Sequence, residues 1–410
     1  MRTYGSIRLV KDAWHVTAEP HVVIRLKRLF GKLPKGAKDL SIRHTPDVAR
    51  DLEWVMERYP LEICDADRAF MVGQRVLHVE RSERFVQVLS GQTEARAFNL
   101  KLPPRDYQRI AADLALAQSG LLIADEVGVG KTVQAICMFT EPRTRVALVV
   151  TLAHLPQQWT RELARFAPTL RTHVLKKSKP YTLPAVDVIV TNYHKLAGWA
   201  PALAGKVACV VFDEVQELRH ADTNRYEAAR AIADEAQWRV GLSATPIHNF
   251  GNEFFNVLNI LRPGELGTRA EFLEEWCGEA DSRGKAKLKD PVSFGSYLRD
   301  QGMMIRRTRT DVGRELPALT VVPHTVPSED VFEQLGDVTE LARFILSQTG
   351  PGMEQMQARG ELDWKLRQAT GLAKAKYVAQ FVRMLVESGE RVVLYGWHHA
   401  VYEVWRRELD

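Results

Sequence analysis

Short apolar runs alternate with segments of helical periodicity from residue 121 onward. The runs are four to six residues long and end at small or polar residues, as expected of strands that are buried on both faces. Strands that alternate with helices in this way are typical of a doubly wound parallel sheet. The pattern therefore predicts an α/β fold, with strands at 121–124, 146–150, 186–190, 207–212 and 239–242.

The first hundred residues have a different pattern, without a repeating strand–helix unit. Residues 22–26 and 85–89 alternate in the manner of short strands, and residues 46–59 have a helical periodicity that stops before Pro60. We therefore expect a small α+β domain over residues 1–100. The sequence leaves its role open among recognition of DNA structure, binding of a partner and support of the rest of the chain.

Length and composition favour a multidomain protein without membrane-spanning segments. A chain of 410 residues exceeds the roughly 250–300 residues at which single cores stop growing, so we expect two or three domains. No apolar run approaches the ~20 residues of a membrane helix, and the opening residues do not resemble a secretory signal. The four cysteines lack paired spacing, which argues against a zinc site or a disulfide framework. These features predict a cytoplasmic or nucleoid-associated protein.

Positive charge is concentrated at the start of the chain. The whole chain has a formal net charge of +5, whereas residues 1–50 alone have a net charge of +7. Such a basic segment would add contacts to nucleic-acid phosphates, or it would be an ordinary solvated surface. The charge alone does not decide between these two interpretations.

The turn between the first strand of the α/β region and the next helix begins at Asp125 and ends in Gly130-Lys131-Thr132. Glycines such as Gly128 and Gly130 let backbone N–H groups face phosphate oxygens, and the N-terminus of the following helix favours an anion. Lys131 would contact the β- and γ-phosphates, and Thr132 would bind magnesium. We therefore predict Mg-ATP as the ligand. Asp125 stands where the general phosphate-loop pattern has glycine, and an ordinary strand–turn–helix corner is the alternative.

A second candidate group follows the strand at 207–212, where Asp213 and Glu214 are adjacent. Ligands of open α/β sheets bind at the carboxyl ends of the strands, so we expect this pair to lie near the phosphate loop. Asp213 would hold the magnesium ion through water, and Glu214 would orient and deprotonate an attacking water molecule. The acidic N-terminus of an ordinary helix is the alternative interpretation.

A third polar turn, residues 241–246, follows the strand at 239–242. Ser243 and Thr245 are small hydroxyl residues that would hydrogen-bond toward the acidic pair and report the nucleotide state to a polymer-binding surface. A Ser/Thr turn before Pro246 is the alternative. The position of this turn after two nucleotide-type motifs favours the coupling role.

These motifs occur in the order typical of helicase superfamily two, and they most closely resemble its Swi/Snf-type DNA translocases. The matching segments are residues 102–108, 125–132, 149–152, 191–193, 213–216, 241–249 and 304–312. The last segment is rich in arginine and resembles the bridge between the two motor lobes of that family. Gln216 stands where many members of the family have histidine.

The resemblance implies a RecA-like ATP-binding lobe with a helical and bridging extension over residues 101–315. It implies that the protein moves along double-stranded DNA by ATP hydrolysis. It further implies that Gln108 reads the adenine base and that Gln216 takes part in coupling with Ser243 and Thr245. The residues that it places on the nucleic-acid side are Thr151, Asn192, Tyr193, Arg306 and Arg307. We expect their contacts to be mainly with the DNA backbone, with little sequence specificity.

The resemblance also implies a second RecA-like lobe over residues 316–410, with strands at 320–324 and 391–396. The later motifs of the family, including an arginine finger, have no counterpart before Asp410, so this lobe is expected to be incomplete. An arginine finger contributes roughly 10³–10⁵ in rate. Two alternatives stay open: a nucleotide-gated DNA-binding module without turnover, and the motor subunit of a defence- or restriction-type assembly that a protein partner or a C-terminal region completes.

Overall fold

The chain forms two units in the part that the structure describes. A computed structural model describes residues 2–11, 13–30, 39–246, 250–282, 284–314, 319–325, 343, 345–346 and 353–410. One unit comprises Met1–Leu316 and the other comprises Pro317–Asp410. Within the described ranges, every strand lies in the first unit.

The N-terminal part of the first unit combines an antiparallel sheet with helices. Its elements are β1 (Gly5–Val10), β2 (Ala13–Ala18), α1 (Pro20–Leu29), β3 (Asp39–Arg43), α2 (Pro46–Arg58) and α3 (Asp65–Leu89). The three strands described here lie in the order β1-β2-β3 and are antiparallel. The predicted α+β class and the predicted helix at 46–59 are confirmed.

Two segments of this part that were predicted as strands are helical. Residues 22–26 lie in α1, where Pro20 provides the helical φ angle of the first turn. Residues 85–89 end α3, where Phe85 and Val88, three positions apart, are both buried. The β-branched residues of both segments favour a strand locally, and tertiary packing overrides that preference.

The apolar runs of the α/β region form a parallel sheet. Its strands are β4 (Gly120–Ile123), β5 (Ala147–Thr151), β6 (Thr172–Val174), β7 (Val188–Asn192), β8 (Cys209–Asp213), β9 (Trp238–Leu242) and β10 (Met304–Ile305). Within the described residues the order is β10-β4-β9-β8-β5-β7-β6, and every neighbouring pair is parallel. The carboxyl ends of all these strands therefore lie along one edge of the sheet.

Helices cover both faces of this sheet. They are α4 (Asp106–Ala117), α5 (Lys131–Phe139), α6 (Pro156–Phe166), α7 (Tyr193–Leu203), α8 (Asn224–Glu235), α9 (Gly251–Leu261), α10 (Arg269–Trp276) and α11 (Pro291–Asp300). Leu121 and Ile123 of β4 pack in a core with α4, α5 and α6, whereas Leu122 packs in the opposite core with α7 to α11. A strand that is buried on both faces is apolar at every position, which explains the continuous runs in the sequence. The predicted RecA-like α/β class is confirmed.

The described residues of the second unit form two helices, α12 (Met353–Glu387) and α13 (His399–Leu409). The segments predicted as strands at 320–324 and 391–396 are not strands, because an extended segment becomes a strand only when a neighbour pairs with it, and no such neighbour is described. The predicted first residues of this lobe, 316–318, lie outside the described residues. A partial second RecA-like lobe stays a prediction. No described helix is long and apolar enough to cross a membrane.

A buried carboxylate joins the N-terminal part of the first unit to its central sheet. Asp113 of α4 has no exposed surface, and Nη2 of Arg84 in α3 lies 2.5 Å from its Oδ2. Arg96, in the connection between the two helices, places Nε 2.8 Å from Oδ1 and donates its backbone N–H to Oδ2 at 3.0 Å. The two guanidinium groups compensate for the removal of this charge from water.

We expect Asp113→Asn to destabilise the first unit. The substitution removes the charge that pairs with Arg84 and Arg96, and breaking a buried pair costs about 3 kcal/mol when the arginines keep some contact with water. Urea unfolding followed by tryptophan fluorescence measures the change. Asp106→Asn is the matched control, because Asp106 lies on the same helix with its side chain 87% exposed. Equal stability of the two variants would contradict this role for Asp113.

Candidate nucleotide-binding site

The turn between β4 and α5 has the geometry of an anion-binding loop. Gly128 and Gly130 have φ angles of 83° and 92°, in the left-handed region that residues with a side chain rarely adopt. A Cβ at Gly130 would also lie 2.5 Å from Nε2 of Gln108, so a side chain there would displace the end of that glutamine. The first N–H groups of α5 have no intrahelical acceptor, and they begin at Lys131. These features fit a bound phosphate group.

Lys131 is folded against the loop that precedes it. Its Nζ donates to the backbone oxygen of Asp125 at 2.8 Å and to that of Glu126 at 3.3 Å. Burial lowers the pKa of Lys131, while the negative charges of Asp125, Glu214 and Asp213 act in the opposite direction. The lysine therefore lies in the electrostatic field of both the phosphate loop and the acidic pair, as expected if the two motifs serve one site.

Gln108 lies next to the phosphate loop. Its Nε2 donates to the backbone oxygen of Val129 at 3.3 Å, and its Oε1 accepts the backbone N–H of Arg105 at 3.0 Å. The hydroxyl of Tyr107 donates to the same Val129 oxygen at 3.0 Å. The N-terminus of α4 is thus fastened to the loop, and recognition of adenine by Gln108 stays a prediction.

The carboxylate of Asp213 is held at the carboxyl end of β8 by two donors. Its Oδ2 accepts the hydroxyl of Thr151 at 2.9 Å and Nε1 of Trp159 at 2.7 Å. Burial raises the pKa of Asp213, and the hydrogen bonds from Trp159 and Thr151 partly offset that rise because they favour the ionised form. Trp159 was not predicted as a site residue.

Glu214 follows Asp213 in an unusual backbone conformation. Its φ is 52°, in the left-handed region that is uncommon for a residue with a side chain. Its Oε2 accepts Nε2 of Gln216 at 2.6 Å. Gln216 therefore orients the carboxylate of Glu214, which gives the glutamine of this motif a definite local contact.

Ser243 and Thr245 follow β9, which lies between β4 and β8 in the sheet. The hydroxyl of Ser243 is buried and accepts the backbone N–H of Thr245 at 3.1 Å, whereas Thr245 is exposed. Among the described residues neither hydroxyl has a hydrogen bond to the acidic pair. Residues 247–249 of the same motif lie outside the described residues. Coupling through Ser243 and Thr245 stays a prediction.

Two side chains that were predicted on the nucleic-acid side have their hydroxyls bonded inside the fold. Thr151 is fully buried with its hydroxyl on Asp213, and the hydroxyl of Tyr193 donates to the backbone oxygen of Asp213 at 2.8 Å. Both hydroxyls donate inside the fold, and contact of either residue with nucleic acid stays a prediction. The side chain of Asn192 caps α7 by accepting the N–H of Lys195 at 3.2 Å, and contact of Asn192 with nucleic acid stays a prediction.

Arg306 and Arg307 have different surroundings despite being adjacent. Arg306 is exposed, and its Nη1 donates to the backbone oxygen of Ala244 at 3.4 Å. Arg307 instead forms an ion pair with Asp125, at 2.5 Å between Nη2 and Oδ2, and its side chain is 19% exposed. Contact of either arginine with nucleic acid stays a prediction. The replacement of glycine by Asp125 was the signal in the sequence that a cationic partner had to lie nearby.

These features define a parallel α/β lobe with a phosphate loop and an acidic pair at one sheet edge, as in helicase-like ATPases. The model of the SNF2-related domain matches residues 49–347, about three quarters of the chain. The chain therefore belongs to the SNF2-related family, and the predicted resemblance to Swi/Snf-type superfamily-two helicase-like ATPases is confirmed.

Individual relatives are distant and much longer. The chain is 31% identical over 202 residues to an uncharacterized ATP-dependent helicase, YqhH, of Bacillus subtilis, a match that covers 47% of this chain and 34% of the relative. It is 25% identical to the DNA annealing helicase and endonuclease ZRANB3 of Mus musculus, over 72% of this chain and 29% of the relative. A SWI2/SNF2 ATPase core of Sulfolobus solfataricus in complex with dsDNA aligns with a TM-score of 0.48 and 22% identity, over 77% of this chain and 71% of that one. The chain thus spans about a third or less of the length of these curated relatives.

We expect Trp159→Phe to raise the pKa of Asp213 further. The substitution removes the indole N–H that stabilises the ionised carboxylate and keeps most of the apolar ring that packs in the core. Carbon-detected NMR titration of a sample labelled at the aspartate carboxyl carbons measures the pKa, with an Asp213→Asn variant to assign the signal. Trp54→Phe is the control, since Trp54 is 67% exposed on α2. An unchanged or lower pKa of Asp213 would show that the hydrogen bond has no such effect.

Proposed function

We propose that this chain binds Mg-ATP on its first unit and couples ATP hydrolysis to movement along double-stranded DNA. The observation that carries this proposal is the position of Lys131. Its ammonium group contacts the phosphate loop, and the charges of Asp213 and Glu214 act on it, which supports one site at the carboxyl edge of the sheet. Family membership supports the same assignment.

The phosphate groups would be bound by the loop between β4 and α5. The backbone N–H groups at the start of α5 and the ammonium of Lys131 supply positive charge there, and Gln108 would contact the adenine. Thr132 and Asp213 would hold magnesium, which neutralises phosphate charge when bound. Among the described residues no group of three or more His, Cys, Asp or Glu side chains could bind a metal alone. Two protein ligands would suffice for Mg²⁺, which takes several ligands from water and nucleotide.

Glu214 is the residue that we assign to the attacking water. Its carboxylate is oriented by Gln216 and lies one residue beyond Asp213, at the end of β8. Asp213 has to be ionised to hold the metal, and burial raises its pKa. As the pH falls, Asp213 therefore takes up its proton at a higher pH than is usual for aspartate. Mg-ATP binding should weaken as this protonation occurs.

The DNA would contact the same edge of the sheet through an exposed basic loop. Lys176, Lys177 and Lys179 are exposed in the loop that follows β6, at its carboxyl end. The loop has a fixed anchor, because Trp199 Nε1 donates to the backbone oxygen of Lys177 at 2.8 Å. Lysines held in one loop are suited to phosphate contacts, which position a protein without reading sequence. The name of the relative ZRANB3 as a DNA annealing helicase supports DNA as the polymer.

Two variants should separate ATP binding from ATP hydrolysis. Lys131→Ala removes the ammonium group expected on the phosphates, and we expect calorimetry to detect no Mg-ATP binding. Glu214→Gln keeps the site's shape and should bind Mg-ATP with unchanged affinity while turnover falls by roughly 10²–10⁴. Lys206→Ala, at an exposed lysine before β8, is the control for removal of one positive charge. Normal Mg-ATP binding by Lys131→Ala would refute the assignment of the phosphate loop.

Replacing Lys176, Lys177 and Lys179 together by alanine should weaken DNA binding without a change in sequence preference. Each lost phosphate contact lowers the slope of log affinity against log salt concentration by about 0.9, so the slope should fall by roughly 2–3. Fluorescence anisotropy with a labelled duplex measures both quantities. The control removes three positive charges near the amino ends of the strands, at Arg143, Arg165 and Lys206. Equal salt slopes for the two triple variants would rule out the basic loop as a DNA contact.

A further inference from the structure

The chain after β10 runs alongside the phosphate loop. The backbone N–H of Leu122 donates to the oxygen of Met303 at 2.9 Å, and that of Ala124 donates to the oxygen of Ile305 at 2.8 Å. The same pairing continues beyond both strands, because the N–H of Glu126 donates to the oxygen of Arg307 at 2.9 Å. The first residues of the phosphate loop are therefore held by a backbone ladder to a segment far away in sequence.

Asp125 is the centre of this contact. Its carboxylate is fully buried and accepts three bonds from Arg307, from the backbone N–H at 2.9 Å, Nε at 3.1 Å and Nη2 at 2.5 Å. Gln134 of α5 adds a fourth donor, Nε2, at 2.8 Å. Nη1 of Arg307 donates to the backbone oxygen of Tyr107 at 2.7 Å. A single guanidinium thus fastens the loop to the segment that also carries Gln108.

Two further arginines of the same segment hold the next part of the loop. Arg309 donates its backbone N–H to Oε2 of Glu126 at 2.8 Å and Nη2 to Oε1 at 2.6 Å. These bonds lower the pKa of Glu126, so the carboxylate stays ionised. Nη1 of Arg314 donates to the backbone oxygen of Gly128 at 2.8 Å. We call Arg307, Arg309 and Arg314 the arginine brace.

The brace acts on the residues that hold Lys131. The backbone oxygens of Asp125 and Glu126 accept the ammonium of Lys131, and the side chains of the same two residues are fixed by Arg307 and Arg309. We propose that the arginine brace is a set of positioning residues for ATP: it fixes the phosphate loop and the Lys131 ammonium in the geometry that binds the phosphates. This inference rests on the proposed function, and it gives Arg307 a role at the nucleotide.

The direct test is the affinity for Mg-ATP of Arg307→Lys, measured by calorimetry well below the melting temperature found by circular dichroism. Lysine keeps the charge but cannot supply the forked set of donors that Asp125 accepts. We expect affinity to fall by about 10- to 100-fold, the loss typical when a residue that orients a binding group is removed. Arg299→Lys, at an exposed arginine of α11, is the control and should bind like the wild-type chain.

A merely structural role predicts a different result: a lower melting temperature with unchanged Mg-ATP affinity of the folded protein, which would overturn the proposal. Asp125→Asn should weaken Mg-ATP affinity similarly. The double variant should bind no more weakly than the weaker-binding single variant, because both changes remove the same interaction.

If Arg307→Lys does not fold, Arg309→Gln decides alone, since the side chains of Arg309 and Glu126 are 33% and 35% exposed. Arg309→Gln with wild-type affinity would then overturn the proposal. Absence of Mg-ATP binding by the wild-type chain would refute the proposed function instead.

Discussion

The buried carboxylate of Asp125 is the constraint on which the phosphate loop depends. A charge removed from water has to be paired and hydrogen-bonded, and here Arg307, 182 residues later in the chain, supplies most of the donors. Arg307 follows β10, which pairs with β4 in the sheet. The short strand has only two residues, yet the ion pair beyond its end extends the contact along the loop. The shape of the nucleotide site therefore depends on a distant segment as well as on the glycines of the loop itself.

The parallel topology places the other candidate site residues at one edge of the sheet. Strands β4, β9, β8 and β5 are adjacent, so the phosphate loop, Ser243, Asp213 and Thr151 all follow or end strands at the same edge. Other side chains donate hydrogen bonds to the two carboxylates that are expected to contact the ligand. Thr151 and Trp159 hold Asp213, while Gln216 holds Glu214. Such second contacts restrict each carboxylate to one orientation, which catalysis by a positioned base requires.

The residues expected to bind ATP could be inferred from the sequence because their spacing is local. A strand, a glycine turn and a helix that follow one another in the sequence predict the loop around Lys131. An apolar run likewise predicts the strand that ends at Asp213. The role of Thr151 and Tyr193 could not be inferred in the same way, since a motif locates a residue near a site without stating where its side chain is directed. Both hydroxyls serve Asp213 inside the fold.

Strands that depend on pairing with distant parts of the chain could not be predicted from the sequence either. The two-residue strand β10 and the three-residue strand β6 are too short for an apolar pattern, and only their neighbours in the sheet define them. Residues 22–26 show the opposite case, in which a strand-like local pattern is overridden by packing of the helix α1. Asp125 did contain usable information: an acidic residue at a glycine position, directly after a buried strand, requires a cation from elsewhere in the chain.

Steady-state phosphate release from ATP by the purified 410-residue chain tests the proposal that the chain is a DNA-dependent ATPase. The measurement is made with and without duplex DNA, at fixed magnesium and low salt. We expect turnover that duplex DNA stimulates. Mg-ATP binding without phosphate release under either condition would contradict it, and would favour a nucleotide-gated DNA-binding module.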